Sequence, residues 1–156
     1  KKTKPVVAFA DQCDSLHYWA MCAVADHKMA ANNISAEFGS VGVVASFRDA
    51  KKYLEGLGYV FHEIYPDESE HKNEAFRLAL EGKYDMIKKE MLSPMAVKFQ
   101  DFVRASCPNL KEETGVLTGK TFGADLALKY GMIDSIGSLD LAINRVHIMS
   151  ETNHYK

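Results

Sequence analysis

The stretch "KPVVAFADQCDSLHYWAMCAVADHKMAAN", Lys4–Asn32, carries the choice of fold. After Pro5 come Val6, Val7, Ala8 and Phe9, a run too short for an ordinary helix and suited to a strand buried on both faces. Asp14 or Ser15 is then a good N-cap for the apolar segment that runs to about Ala25. "HKMAAN" follows as a second short strand candidate. Strand, turn, buried helix and strand in that order argue for an α/β protein with parallel strands. A helix built for burial that opens on a hydroxyl is the feature to explain.

Working outward, "NISAEFG" reads as a tight, glycine-containing connection to a further strand in "SVGVVAS". Phe47, Ala50, Tyr53, Leu54 and Leu57 then stand at helical spacing, with Gly58 placed as a C-terminal cap. "YVFHEIY" alternates as a strand does. Phe76, Leu80, Tyr84, Ile87 and Met91 form one apolar stripe of a helix. "LSPMAVKFQDFVRASCP" starts another, with Ser93 as cap, Pro94 in its first turn, Met95, Phe99, Phe102 and Val103 inward, and Pro108 as its stop. Two last helices are expected near Thr121–Tyr130, punctuated by Gly131, and near Ser138–Met149.

A chain of 156 residues with 47% hydrophobic content suffices for one domain with a real core. We expect residues 1–149 to form it, strand-rich over 1–65 and mostly helical over 66–149, with 150–156 as a tail. The net charge of −2 comes from interspersed acids and bases, without the basic stripe that neutralises phosphates, so nucleic acid is not an expected partner. No apolar run is long enough to span a membrane, and no leader precedes the first strand, so the chain reads as soluble. It opens "KKTKPVVAFA" without a methionine, which suggests a further segment upstream. Cys13, Cys22 and Cys107 are odd in number and lack CxxC spacing, which argues for reduced, buried thiols over disulfides or zinc. His17, His27, His62 and His71 have no metal-ligand spacing either, and no metal or cofactor is expected.

Taken together and in order, these segments resemble a known family. Lys4–Val44 resembles the segment of the signal peptide peptidase A (protease IV) family that carries the nucleophilic serine, an alanine-rich helix, an "ADKI-AN"-like strand and a "GS-GV" turn. "GVLTGKTFGADLALKYGMIDSIGSLDLAI" is similar to that family's closing segment, and phage prohead proteases belong to the same group. The resemblance implies stacked β-β-α units of Clp protease/crotonase type, of which this chain holds the C-terminal part. It also implies a homo-oligomer acting on peptide or protein substrates, either cytoplasmic or held at a membrane through an upstream segment.

The same resemblance puts Ser15 on the nucleophile and Lys72, in "DESEHKNEAF", on the general base of a Ser-Lys dyad. A lysine used as a base must shed its proton, which asks its surroundings to work against the charge by about 4 kcal/mol. Leu16 would offer an N–H to the oxyanion, and Gly39, Ser40 and Val41 would lie along the substrate. Where the family has two glycines after its serine, this chain has Leu16 and His17, and Asp67, Glu68, Glu70 and Glu74 surround Lys72 in sequence. These departures motivate a second reading, a family member without catalysis that serves as a binding or assembly module. A cysteine nucleophile at Cys13 with His17, and an acyl-coenzyme A enzyme of crotonase type, are weaker alternatives.

Overall fold

The computed structural model describes residues 4–153, and the chain divides into two compact units. One comprises Lys1–Val43 with Ala96–Lys156, the other Val44–Met95. It is a mixed α/β protein.

The first unit holds two small sheets. β1 (Val7–Ala10), β3 (His27–Ala30) and β6 (Ser135–Ile136) form a fully parallel sheet in the order β1-β3-β6, with Val7 opposite His27 and Met29 opposite Ser135. β2 (Gln12–Asp14) starts one residue after β1 ends, so at Asp11 the chain passes from one sheet to the other. β2 pairs in parallel with β4 (Glu37–Gly39), which pairs antiparallel with β5 (Thr121–Gly123). Cys13, Phe38 and Phe122 stand in one row across this second sheet, and all three are buried. Neither β2 nor β5 is visible as an apolar run, because each is three residues long with a single inward side chain.

α1 (Leu16–Val24) joins β2 to β3 and buries Tyr18, Met21 and Cys22, the i, i+3, i+4 stripe of an amphipathic helix. Its opposite face exposes Leu16 and Val24, so the helix is half-buried rather than enclosed. Tyr18 is fully buried and its hydroxyl donates to the Met132 carbonyl at 2.8 Å, which satisfies the one polar atom the stripe takes inside. β3 is buried along its whole length although it contains His27 and Lys28. Both have partners: His27 Nε2 lies 2.7 Å from Ser135 Oγ, and Lys28 Nζ donates to the Ser106 carbonyl at 2.9 Å with Asp134 3.7 Å away.

α4 (Ser93–Ser106) closes the core with Phe99 and Val103, and Trp19 stacks flat on Phe99 with ring centroids 4.6 Å apart. Burying a ring such as Phe99 contributes about 2–3 kcal/mol. Met95 and Phe102, read as inward from the sequence, are each about half exposed. α5 (Ala124–Lys129) follows β5 directly, and two residues past its end stands Gly131, whose φ of +72° and clearance to the Asn109 carbonyl leave no room for a side chain. α6 (Leu139–Asn153) packs on β1 and runs four residues beyond the expected end at Met149.

The stretch from Gly39 to Pro94 corrects several expectations. "SVGVVAS" is not a strand: the strand lies in the preceding "EFG", because Gly39 (φ +130°) and Ser40 (φ +52°) turn the chain off the sheet. The helix expected from Phe47 shortens to α2 (Lys51–Gly56). "YVFHEIY" forms no strand among the described residues; alternation without a partner to pair with leaves Val60 and Ile64 exposed. The apolar stripe from Phe76 to Met91 is two pieces, α3 (Glu74–Leu80) and a π-helical turn at Ile87–Leu92, separated at Gly82 with its φ of +79°. Ser93 is not a cap, since its φ and ψ of −61° and −45° continue the helix from that π turn. Pro94 has no N–H to donate and its ring crowds the carbonyl four residues back, so a widened turn just before it relieves both problems. Within the second unit Phe47 meets Phe76 edge-on at 6.2 Å, and the Arg77 guanidinium sits 4.8 Å over the Tyr65 ring.

Candidate active site

Ser15 occupies the single residue between β2 and α1, with φ 54° and ψ −123°. A β-carbon at positive φ is strained, by roughly 1–3 kcal/mol, and such residues persist only where their surroundings fix them. Two backbone bonds do so here. The Ser15 N–H donates to the Gly39 carbonyl at 2.9 Å, and its own carbonyl accepts the Trp19 N–H at 3.0 Å to open the helix. Its hydroxyl makes no capping hydrogen bond, contrary to the N-cap role expected from sequence, and the residue is exposed. The N–H groups of Leu16, His17 and Tyr18 precede the first intrahelical donor and belong to the orphan set at a helix start.

Gly39 lies opposite Asp14 and opposite Thr121, so it is the central position of the row at which Ser15 begins. A β-carbon on Gly39 would lie 2.5 Å from the Lys120 carbonyl oxygen, and its φ of +130° also demands glycine. The next residue, Ser40, donates its N–H to that same carbonyl at 2.8 Å. Val41 is fully buried, so its side chain belongs to the core. The first unit thus brings together Ser15, Leu16, Gly39 and Ser40, with Val41 adjoining.

Lys72 lies in the second unit, in the turn between Asp67–Ser69 and α3, and is exposed. Its N–H donates to the Ser69 carbonyl at 3.0 Å, and its carbonyl accepts the Arg77 guanidinium. The acids nearest in sequence turn to His71 instead of Lys72: Glu74 lies 2.8 Å and Glu70 3.1 Å from the imidazole nitrogens. Glu63, Ile64, Tyr65, Pro66, Ser69, Lys72 and Asn73 line an open cleft of about 490 Å³.

Cys13 is buried, its Sγ 3.8 Å from the Met21 sulfur, and burial together with Asp14 pushes the thiol up to about 11. That is the wrong direction for a nucleophile. Asp14, offered by the sequence only as an alternative N-cap to Ser15, lies instead in β2. Desolvation, then the Glu37 carboxylate, raises its carboxyl above the ordinary range against the opposing pull of His17, and Oδ1 is buried without a hydrogen-bond partner. Because β2 was invisible as a strand, nothing marked Asp14 as an inward position. Among the described residues no cluster of His, Cys, Asp and Glu could hold a metal ion, and no helix is long and apolar enough to cross a membrane.

No curated protein matches the chain. The family model described as peptidase family S49 matches residues 1–153, nearly the whole length. With a strained serine between strand and helix and a family match of that extent, the chain belongs to peptidase family S49.

Proposed function

We propose that the protein is a serine endopeptidase in which Ser15 is the nucleophile and Lys72 the general base. The observation that carries this reading is the backbone of Ser15: a positive φ at a strand-to-helix turn, with the hydroxyl unused as a cap. Strain of this kind presents a nucleophile clear of its own backbone, as at other strand-turn-helix serines. Neutral Lys72 Nζ takes the hydroxyl proton as Ser15 Oγ attacks the scissile carbonyl. The first-turn N–H of Leu16 steadies the oxyanion, and the lysine then passes its proton to the leaving amine. Water hydrolyses the acyl-serine in a second round through the same two groups. Extended substrate runs past Ser40 and Val41, where the chain leaves the sheet, since Gly39 itself is paired on both sides with Asp14 and Thr121. This reading takes residues 1–149 as a peptidase domain in the C-terminal part of a Clp/crotonase-like fold. It also takes a homo-oligomer as the working form.

A second reading keeps the fold and peptide binding without turnover. Leu16 and His17 in place of a glycine pair, and an exposed Lys72, favour it. Casein turnover by the full-length protein separates the two. The dyad requires a loss of about three orders of magnitude or more in both Ser15→Ala and Lys72→Ala. Equal turnover in the wild type and both variants eliminates the site assignment, and peptide binding without turnover in the wild type selects the second reading.

A further inference from the structure

A second open cleft, of about 550 Å³, lies in the unit Val44–Met95 and shares Asn73 with the cleft at Lys72. One wall comes from the start of α3, the other from Met86 and the π-helical turn at Ile87–Leu92. In an α-helix the residue five places on from Met86 is carried off its face, but i→i+5 bonding widens the turn and brings Glu90 and Met91 round together to the side of Met86. Turns of this kind are frequent at functional sites. The lining has two parts. Phe76, Met86 and Met91 supply apolar surface, and all three are at least partly exposed. Glu74 and Glu90 supply two carboxylates, and among the described residues no lysine or arginine lines the cleft. Glu74 is engaged by His71 at 2.8 Å, whereas Glu90 holds no hydrogen bond or ion pair among the described residues. His71, Glu74 and Glu90 do not make up a metal-ligating group. What fits such a lining is a long aliphatic stem with a cationic head, because lysine and arginine lay their methylenes on apolar surface and keep the charge at its edge. Methionine adapts its shape to a stem of that kind.

We propose that this cleft docks a lysine or arginine side chain of a peptide, with the stem on Phe76, Met86 and Met91 and the charged head at Glu90 and Glu74. Its volume leaves room for the peptide on either side of that residue. Calling the peptide a substrate rests on the peptidase reading. Because Asn73 lines both clefts, a chain docked here is held beside the turn that carries Lys72, and the site favours chains that bear a basic residue.

The test uses full-length Ser15→Ala, in which docking is read without cleavage whether or not Ser15 is the nucleophile. Fluorescence anisotropy compares a fluorescein-labelled alanine-glycine peptide that bears one arginine with the same peptide bearing norleucine in its place. The arginine peptide should bind about fivefold more tightly, the scale of one exposed charge pair, and should lose that margin in high salt and on adding Glu90→Gln. A diazirine next to the arginine should cross-link to the tryptic peptides that contain Met86 and Met91, a readout that needs no further variant. Equal affinity for the two peptides, a margin unchanged by Glu90→Gln, or cross-links only elsewhere in the chain would overturn the proposal. So would binding of putrescine without binding of the arginine peptide, which assigns the cleft to a free amine. Casein turnover is read separately in the wild type: a protein that docks the arginine peptide and cleaves nothing loses the nucleophile assignment and keeps the cleft.

Discussion

Ser15 is where one residue's geometry does the most. If its positive φ is strained, then Ser15→Gly should be more stable than Ser15→Ala by about 1 kcal/mol in denaturant unfolding, although both lack the hydroxyl. Equal midpoints would mean that the turn is relaxed. Gly39 is the converse case: Gly39→Ala forces a β-carbon against the Lys120 carbonyl and should cost well over 1 kcal/mol while loosening the bond that holds the Ser15 N–H. His27 supplies a pH dependence. Burial lowers its pKa below the usual 6.5, opposed by Asp134 and helped by Arg145 and Lys28. The folded state therefore favours the neutral imidazole, and the stability this gives is complete above the unfolded value and is lost as pH falls from 6.5 towards the folded value. Melting temperature should drop between pH 7 and pH 5, and should drop less in His27→Gln.

Elements differ in how well they announced themselves. The first strand, α1 and β3 were legible because each carries its own signal: a proline-led apolar run, a nine-residue helix with a sharp start, and a compact block after Asp26. β2, β4 and β5 were not, because three-residue strands have no periodicity to read and owe their existence to pairing across the row Cys13, Phe38 and Phe122. "YVFHEIY" shows the opposite error, a pattern without a partner. Part of the candidate site was readable: the apolar run set the helix start at Asp14 or Ser15 and the family resemblance put Ser15 on the nucleophile, but the buried Asp14 oxygen depended on the unseen strand. Packing separates look-alike positions in the same way. Phe99→Ala should cost about 3–5 kcal/mol, because the ring is enclosed and stacked on Trp19, whereas Phe102→Ala, half exposed three residues on, should cost a fraction of that. Similar losses in chemical denaturation would contradict the assignment of α4's inner face.

At the scale of the molecule, the core cluster of buried residues and both sheets lie in the first unit, whereas Val44–Met95 buries Ala79 and Ile87 and exposes Tyr59, Val60, Phe61 and Ile64 in a segment without regular structure. Chymotrypsin under native conditions should cut first at Tyr59 or Phe61, and a first cut inside α1 or α4 would contradict this division. The central claim is that a family S49 chain uses the strained serine as its nucleophile. Intact-mass analysis of the full-length protein after reaction with a peptide fluorophosphonate tests it most directly. The account predicts one adduct, mapped to the peptide containing Ser15 and absent in Ser15→Ala; an adduct of equal yield on another residue in both proteins would contradict it.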